Sequence, residues 1–183
     1  MIVIMAGGRS SRMGAEKPVL RVGGVPMLLR VYREAGKVDE VLVALSRNTP
    51  RTRELCLREG LPFVETPGKG YVEDVTYLLR ELGPPFISVS SDLPFVKGGD
   101  FRAMKRAFDG RTSLTGVLPL KLVPGDLNPP VTYRGYAVVG LNAVGGEGGE
   151  RFLELSNPPL LALNVNTPED LKLADRIAKL VGR

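Results

Sequence analysis

The 183-residue chain has no histidine, no tryptophan and a single cysteine, Cys56. Without histidine there is no Ser-His-Asp triad, no imidazole general base and no imidazole metal ligand. A lone cysteine closes no internal disulfide, and here it has no histidine partner for thiol catalysis. Cysteine-protease and zinc chemistry are both unsupported, so any metal the chain uses must be a hard cation held through oxygen. Aromatic residues make up only 6% of the chain. Stacking on a nucleic acid strand needs exposed aromatics along a basic stripe, so no nucleic acid partner is expected. Long apolar runs are missing too: the stretches 41–45 and 160–163 fall far short of the roughly 20 residues of a membrane span. With no membrane span and no cleavable signal at its start, the chain is expected to be soluble and cytoplasmic.

What is present is one domain's worth of chain, residues 1–183, enough to bury roughly 70 per cent of its unfolded surface. Its formal net charge is +5. Residues 1–60 hold 11 Lys and Arg against 6 Asp and Glu, whereas residues 61–183 hold 14 of each. The excess of positive charge therefore lies with the most informative segment, Met5-Ala-Gly-Gly-Arg-Ser-Ser-Arg-Met-Gly-Ala-Glu-Lys-Pro18, which follows the apolar run Ile2-Val3-Ile4. A short buried strand delivers the backbone to Gly7 and Gly8, where the missing Cβ lets amide N–H groups approach an anion. Arg9, Arg12 and Lys17 bring cations to the same loop, as a small polyphosphate requires. The Walker loop is ruled out because no Gly-Lys-Ser/Thr ending follows. The dinucleotide fingerprint is ruled out because the glycines at 7, 8 and 14 have the wrong offsets, and Gly68-Lys69-Gly70 is followed by Glu73 where a third glycine belongs.

Along the chain, short β-branched runs alternate with amphipathic stretches, predicting a parallel sheet covered on both faces, a three-layer α/β/α Rossmann-like domain. Strands are expected at 2–4, 41–45, 61–65, 85–90, 114–118, 136–144 and 160–165. Helices are expected at 27–35, 50–59 with Thr49 as N-cap, 71–82, 100–108, 150–155 and from Thr167 onward. Thr167-Pro-Glu-Asp170 reads as a capping box with proline at the first helical position. The proline-rich segment 123–134 reads as an insertion or flap. Such a sheet puts its site at the carboxyl ends of the strands. Asp92, in Ser90-Ser-Asp-Leu-Pro94 just after a buried strand, lands there, either free for chemistry or capping a turn.

Ala6-Gly7-Gly8, Arg12-Met13-Gly14 and Lys17-Pro18, continued by Gly24 and Pro26-Met27-Leu28, resemble the nucleotidyltransferases related to the molybdenum-cofactor guanylyltransferase. Those enzymes usually carry Gly-Pro-Leu-x-Gly where this chain has Thr66-Pro-Gly-Lys-Gly70. Ser46-x-Asn-Thr-Pro50, Gly68-Lys-Gly-Tyr-x-Glu-Asp74, Val89-Ser-Ser-Asp-Leu93 and Asn164-x-Asn-Thr-Pro-Glu-Asp-Leu-Lys-Leu-Ala174 are more similar to the archaeal GTP:adenosylcobinamide-phosphate guanylyltransferases. That resemblance spans nearly the whole chain except about 97–130. It implies GMP transfer from GTP to a corrinoid phosphate with release of pyrophosphate, Mg²⁺ or another divalent cation at Asp92, and catalysis by Arg12, Lys17 and that metal site. It implies nucleotide contacts from Ala6, Gly7, Gly8, Ser46, Asn48, Gly68, Gly70, Gly140, Asn142 and Asn164, with Ser46 and Asn48 at the base. Locally, 46–50 also reads as a polar loop before a helix cap, Gly140 as a β-bulge, and Asn166 as a cap-and-turn residue. A homodimer is left open. The other readings of the fold are a molybdopterin or sugar-phosphate nucleotidyltransferase and a non-catalytic GTP-binding regulatory protein.

Overall fold

The computed structural model of the chain describes residues 1–183 apart from 11, 12, 84, 126, 128, 130, 156–158, 182 and 183, and apart from the side chain of residue 159. β1 (Ile2–Met5) lies in the interior of an eight-stranded sheet among these residues, between β4 (Val41–Leu45) and β6 (Phe86–Ser90). β5 (Phe63–Glu65) extends the sheet beyond β4. All these neighbours are parallel, with Ile4 opposite Val43 on one side and Val89 on the other. Central parallel strands are buried on both faces and read as continuous apolar runs. Ile2, Val3 and Ile4 are accordingly all 0% exposed.

On the other side of β6 runs β9 (Tyr136–Val144), antiparallel to it, then β7 (Thr112–Pro119) and, at the edge, β10 (Glu147–Glu154) parallel to β7. The short β8 (Thr132–Tyr133) forms a hairpin with β9, and β2 (Arg21–Val22) with β3 (Val25–Pro26) forms a separate two-stranded sheet. Five helices are described: α1 (Met27–Ala35), α2 (Pro50–Glu59), α3 (Tyr71–Leu82), α4 (Gly98–Ala107) and α5 (Pro168–Val181). Residues of α1, α2, α4 and α5 join the main core. Leu78 of α3 packs instead with Val3, Ala44, Phe86 and Val144 in a second cluster. Alternate residues of a strand point to opposite faces, so Val3 and Ile4 hold the two outer layers to one sheet.

The helices expected at 27–35, 50–59 and 71–82 form at those bounds. The capping box also forms: Thr167 Oγ1 accepts from the Asp170 N–H at 3.2 Å while Asp170 Oδ2 accepts from the Thr167 N–H at 2.8 Å. Two elements differ. Of residues 150–155, expected as a short helix, 150–154 belong to strand β10, because pairing with β7 over Arg151, Phe152 and Leu153 satisfies backbone groups that one helical turn would leave open. Residues 160–165, expected as a strand, are not one. Pro159–Ala162 is a 3₁₀ turn, Leu163 N–H bonds Leu160 O at 3.1 Å, and Val165 N–H bonds the Asp92 carbonyl at 3.0 Å. The run is buried, as its apolar character demands, but its backbone closes locally. Of the expected flap 123–134, residues 126, 128 and 130 lie outside the described residues; Leu127 is only 8% exposed and packs into the core.

Candidate active site

Parallel strands bring the loops after β1, β4, β5 and β6 to a single edge. There a cleft of about 470 Å³ is lined by Gly7, Gly8, Arg9, Gly68, Lys69, Gly70, Tyr71 and Ser90, among others. The glycine loop is tightly folded. Ser10 takes a left-handed φ of 49°, and its strain is offset as its carbonyl accepts from Met13 N–H at 3.0 Å and its hydroxyl from Lys17 N–H at 3.2 Å. Ala6 and Ser46 stand behind this wall rather than on it. The Ala6 N–H is committed to Ala44 O at 2.9 Å, and buried Ser46 donates from Oγ to the Gly7 carbonyl at 2.7 Å.

Asn48 and Gly68 meet as a pair, with Asn48 Nδ2 donating to Gly68 O at 3.2 Å. Gly68 sits at φ +67°, and a Cβ there would fall 2.7 Å from both Asn48 Nδ2 and Ser46 Oγ. Both the conformation and the close approach require glycine. The Gly68 N–H in turn donates to buried Asp74 Oδ1 at 2.8 Å, so α3 fixes this loop from below.

A second cluster adjoins the cleft through Ser90. Ser90 Oγ donates to Asp92 Oδ1 at 2.6 Å, and Asn164 Nδ2 reaches the same oxygen at 3.2 Å. Asp92 Oδ2 accepts from Lys17 Nζ at 2.6 Å, and Lys17 Nζ also donates to Asn166 Oδ1 at 3.0 Å. Asp92 is 7% exposed, so the ion pair is largely shielded from water. Asn164 Oδ1 is buried without a hydrogen-bond partner. Its amide is oriented by the donation to Asp92, since the flipped form would set oxygen against carboxylate. The Asp92 carboxylate and this open amide oxygen are the donors a hard divalent cation takes, and no cluster of three or more acidic, histidine or cysteine residues competes among the described residues.

Arg12 lies outside the described residues. Gly140, at φ +62°, lies in an irregularity of β9: Thr115 and Val117 of β7 face Asn142 and Val138, two extra residues on β9, so the bulge reading of Gly140 holds. A Cβ on Gly140 would also lie 3.3 Å from Ser90, so the bulge presses on the cleft wall. Asn142 faces a different, larger cleft, and its Nδ2 donates to the hydroxyl of Tyr71 at 2.9 Å.

Two residues outside the expected set shape the site. Glu16 caps α2: its carboxylate accepts from Arg51 N–H at 2.9 Å and from Thr52 N–H and hydroxyl at 2.8 and 2.7 Å. Thr49, expected to cap this helix, bonds Ser46 O at 3.1 Å instead. Arg30 anchors the segment after Asp92, donating to Pro94 O at 3.0 Å and to Val22 O at 3.2 Å while its guanidinium lies 5.6 Å from the Phe95 ring centre. Acids near helix starts are readable in sequence, but Glu16 lies 35 residues before Arg51, whose N–H it accepts. Cys56 takes no part, since it is fully buried and burial pushes its thiol up to about 11.

A mostly parallel sheet with a glycine-walled cleft and a lysine–aspartate pair at its carboxyl edge defines a nucleotidyltransferase. Residues 2–157 match the MobA-like NTP transferase domain, and the chain belongs to that family. Adenosylcobinamide-phosphate guanylyltransferase of Methanocaldococcus jannaschii is 31% identical over 98% of both chains. Molybdenum cofactor guanylyltransferase of Burkholderia vietnamiensis is 43% identical, but over 33% of this chain and 29% of its own. Among solved structures, a CMP:2-keto-3-deoxy-manno-octonic acid synthetase complexed with CTP superposes with a TM-score of 0.72 at 17% identity, covering 100% of this chain and 98% of its own. The 4-diphosphocytidyl-2C-methyl-D-erythritol synthase of Anaerococcus prevotii gives 0.70 at 13% identity, covering 97% of each. At those identities the likeness is one of fold. No helix among the described residues is long and apolar enough to cross a membrane.

Proposed function

We propose that the chain, acting as one domain, transfers GMP from GTP to adenosylcobinamide phosphate, giving adenosylcobinamide-GDP and pyrophosphate. The observation that carries the reading is the meeting of Lys17 and Asp92, 75 residues apart in sequence and 2.6 Å apart in space, beside a glycine-walled cleft. The end-to-end similarity to the M. jannaschii enzyme supports the nucleotide and the acceptor. The cleft takes the triphosphate against Gly7 and Gly8, with Arg9 and Lys69 on its walls. Asn48 and the 68–70 loop offer the guanine edge amide and backbone groups.

An oxygen of the acceptor phosphate attacks the α-phosphorus of GTP. The bond from that phosphorus to the bridging oxygen breaks, and pyrophosphate leaves with the electron pair. The attacking oxygen is already ionised, so no proton has to be removed, which suits a chain without histidine. Lys17 places a compact ammonium where charge builds on the departing phosphates. Asp92 and Asn164 would hold Mg²⁺, which when bound neutralises phosphate charge. Arg12 is proposed as a second cation of the same loop.

Purified protein with GTP, Mg²⁺ and adenosylcobinamide phosphate should release pyrophosphate, with ATP a poor replacement because a mismatched base leaves buried polar groups unpaired. No release with any divalent metal would overturn the reading. Release with molybdopterin or a sugar phosphate in preference to the corrinoid would reassign the acceptor. GTP binding without turnover on any of these acceptors would mark a regulatory protein instead.

A further inference from the structure

The larger cleft, about 710 Å³, lies where α3 stops covering its face of the sheet, over β7, β9 and β10. It adjoins the nucleotide cleft, since Tyr71 lines both and Asn142 from the larger one bonds its hydroxyl at 2.9 Å. The residues that wall it are oddly apolar for an open surface. Tyr133 and Phe152 are 45% and 47% exposed, with stacked rings 5.4 Å apart, and Val131 is 54% exposed. A contiguous exposed apolar patch of this kind marks a binding surface.

Its charge narrows the occupant. Glu150 is the one charged side chain lining the cleft among the described residues, and its carboxylate accepts from Thr115 Oγ1 at 2.7 Å. No cation lines the cleft among the described residues, the Arg134 guanidinium 5.1 Å from the Tyr133 ring centre lining a neighbouring pocket instead, so the cleft does not suit a polyphosphate or an anionic pterin. An alkylated cobalt(III) corrin is broad, apolar at its edge, fringed with amides and positively charged overall, because the metal outweighs the charges of macrocycle and axial carbon. Rings, amide partners such as Asn142 and Ser113, and a single carboxylate answer each of those properties.

We infer that this cleft seats the corrin body of the acceptor, leaving its phosphate arm to cross Tyr71 into the nucleotide cleft. The inference rests on the guanylyltransferase reading above and adds the place and the chemistry by which the acceptor is chosen.

Steady-state constants for both substrates, measured on the wild type and on Phe152→Ser and Glu150→Lys, test it. Both positions are exposed, so the variants should fold, and their GTP constants serve as the control. KM for adenosylcobinamide phosphate should rise about tenfold or more in Phe152→Ser and Glu150→Lys, as for loss of one buried aromatic wall or of the compensating charge, with KM for GTP unchanged. Dialysis with adenosylcobinamide, which lacks the phosphate, should show binding to the wild type and loss of it in the same variants. Wild-type acceptor constants in both variants would place the corrin elsewhere while leaving the transferase reading intact. A dimer that Phe152→Ser dissociates, with acceptor KM unmoved, would give the face to a second copy and overturn the inference. Absence of turnover in the wild type would instead sink the transferase reading on which it rests.

Discussion

Lys17 Nζ stands between Asp92 Oδ2 and Asn166 Oδ1, and its side chain is only 18% exposed. A flexible lysine held this firmly offers its charge to the reaction with little reordering. Because negative charge moves toward the leaving pyrophosphate as the α-phosphorus is attacked, the ammonium should matter more in the transition state than in ground-state binding. Lys17→Ala is expected to lower kcat by about a hundredfold, as for loss of one preorganised donor. Arginine is no substitute, since a planar guanidinium cannot present a compact charge at that point. A folded Lys17→Ala protein with full turnover at saturating substrates would confine the residue to binding. Gly68 is the other position where one residue decides, because its left-handed φ and its contacts with Ser46 and Asn48 leave no room for a side chain.

At the scale of elements, the Glu16 carboxylate joins the glycine loop to the start of α2, the helix that follows the 46–48 loop. Removing it leaves the N–H groups of Arg51 and Thr52 without their partner. Glu16→Ala should cost about 1 kcal/mol of stability, the usual loss for a helix cap. It should also raise KM for GTP by a larger factor than it lowers kcat, because it loosens the cleft without removing charge from the reacting phosphates. Thermal melts and steady-state kinetics on the variant separate the two effects. An unchanged KM would mean that the cap serves the helix alone.

Across the whole molecule, the loop between α1 and β4 is tied to α4 and to the start of β1 by Asp39, which accepts from Lys105 Nζ at 2.6 Å and from the Met1 amino group at 3.2 Å. The Lys105 hydrogen bond is the largest influence holding the Asp39 carboxyl down to about 2. A carboxyl whose folded value is depressed adds stability that is complete above its unfolded value, about 3.9. That contribution is lost as pH falls from there toward 2. Asp39→Asn should therefore be less stable than wild type at pH 6, by about 1 kcal/mol for a partly exposed pair. The gap should close by pH 2; denaturant melts at several pH values would show it, and a gap that persists into acid would rule out the ion pair as its source.

What the amino-acid order alone determined was local. The helices at 27–35, 50–59 and 71–82, the capping box at Thr167, the glycine loop after Ile2-Val3-Ile4 and the place of Asp92 at a strand's carboxyl end all follow from periodicity, caps and turn chemistry within a few residues. The tertiary structure decided whatever depends on a distant partner. Residues 150–154 became part of an edge strand because β7 was there to pair with them, and residues 160–165 crossed the carboxyl edge because the Asp92 carbonyl accepted the Val165 N–H. Ser46 and Ala6 were placed behind the cleft rather than in it by the depth of the strands that carry them. The convergence of Lys17, Asp92, Asn164 and Asn166, and the open face beside Tyr71, exist because a parallel sheet stacks loops far apart in sequence along one edge, and no short-range pattern records which of them will touch.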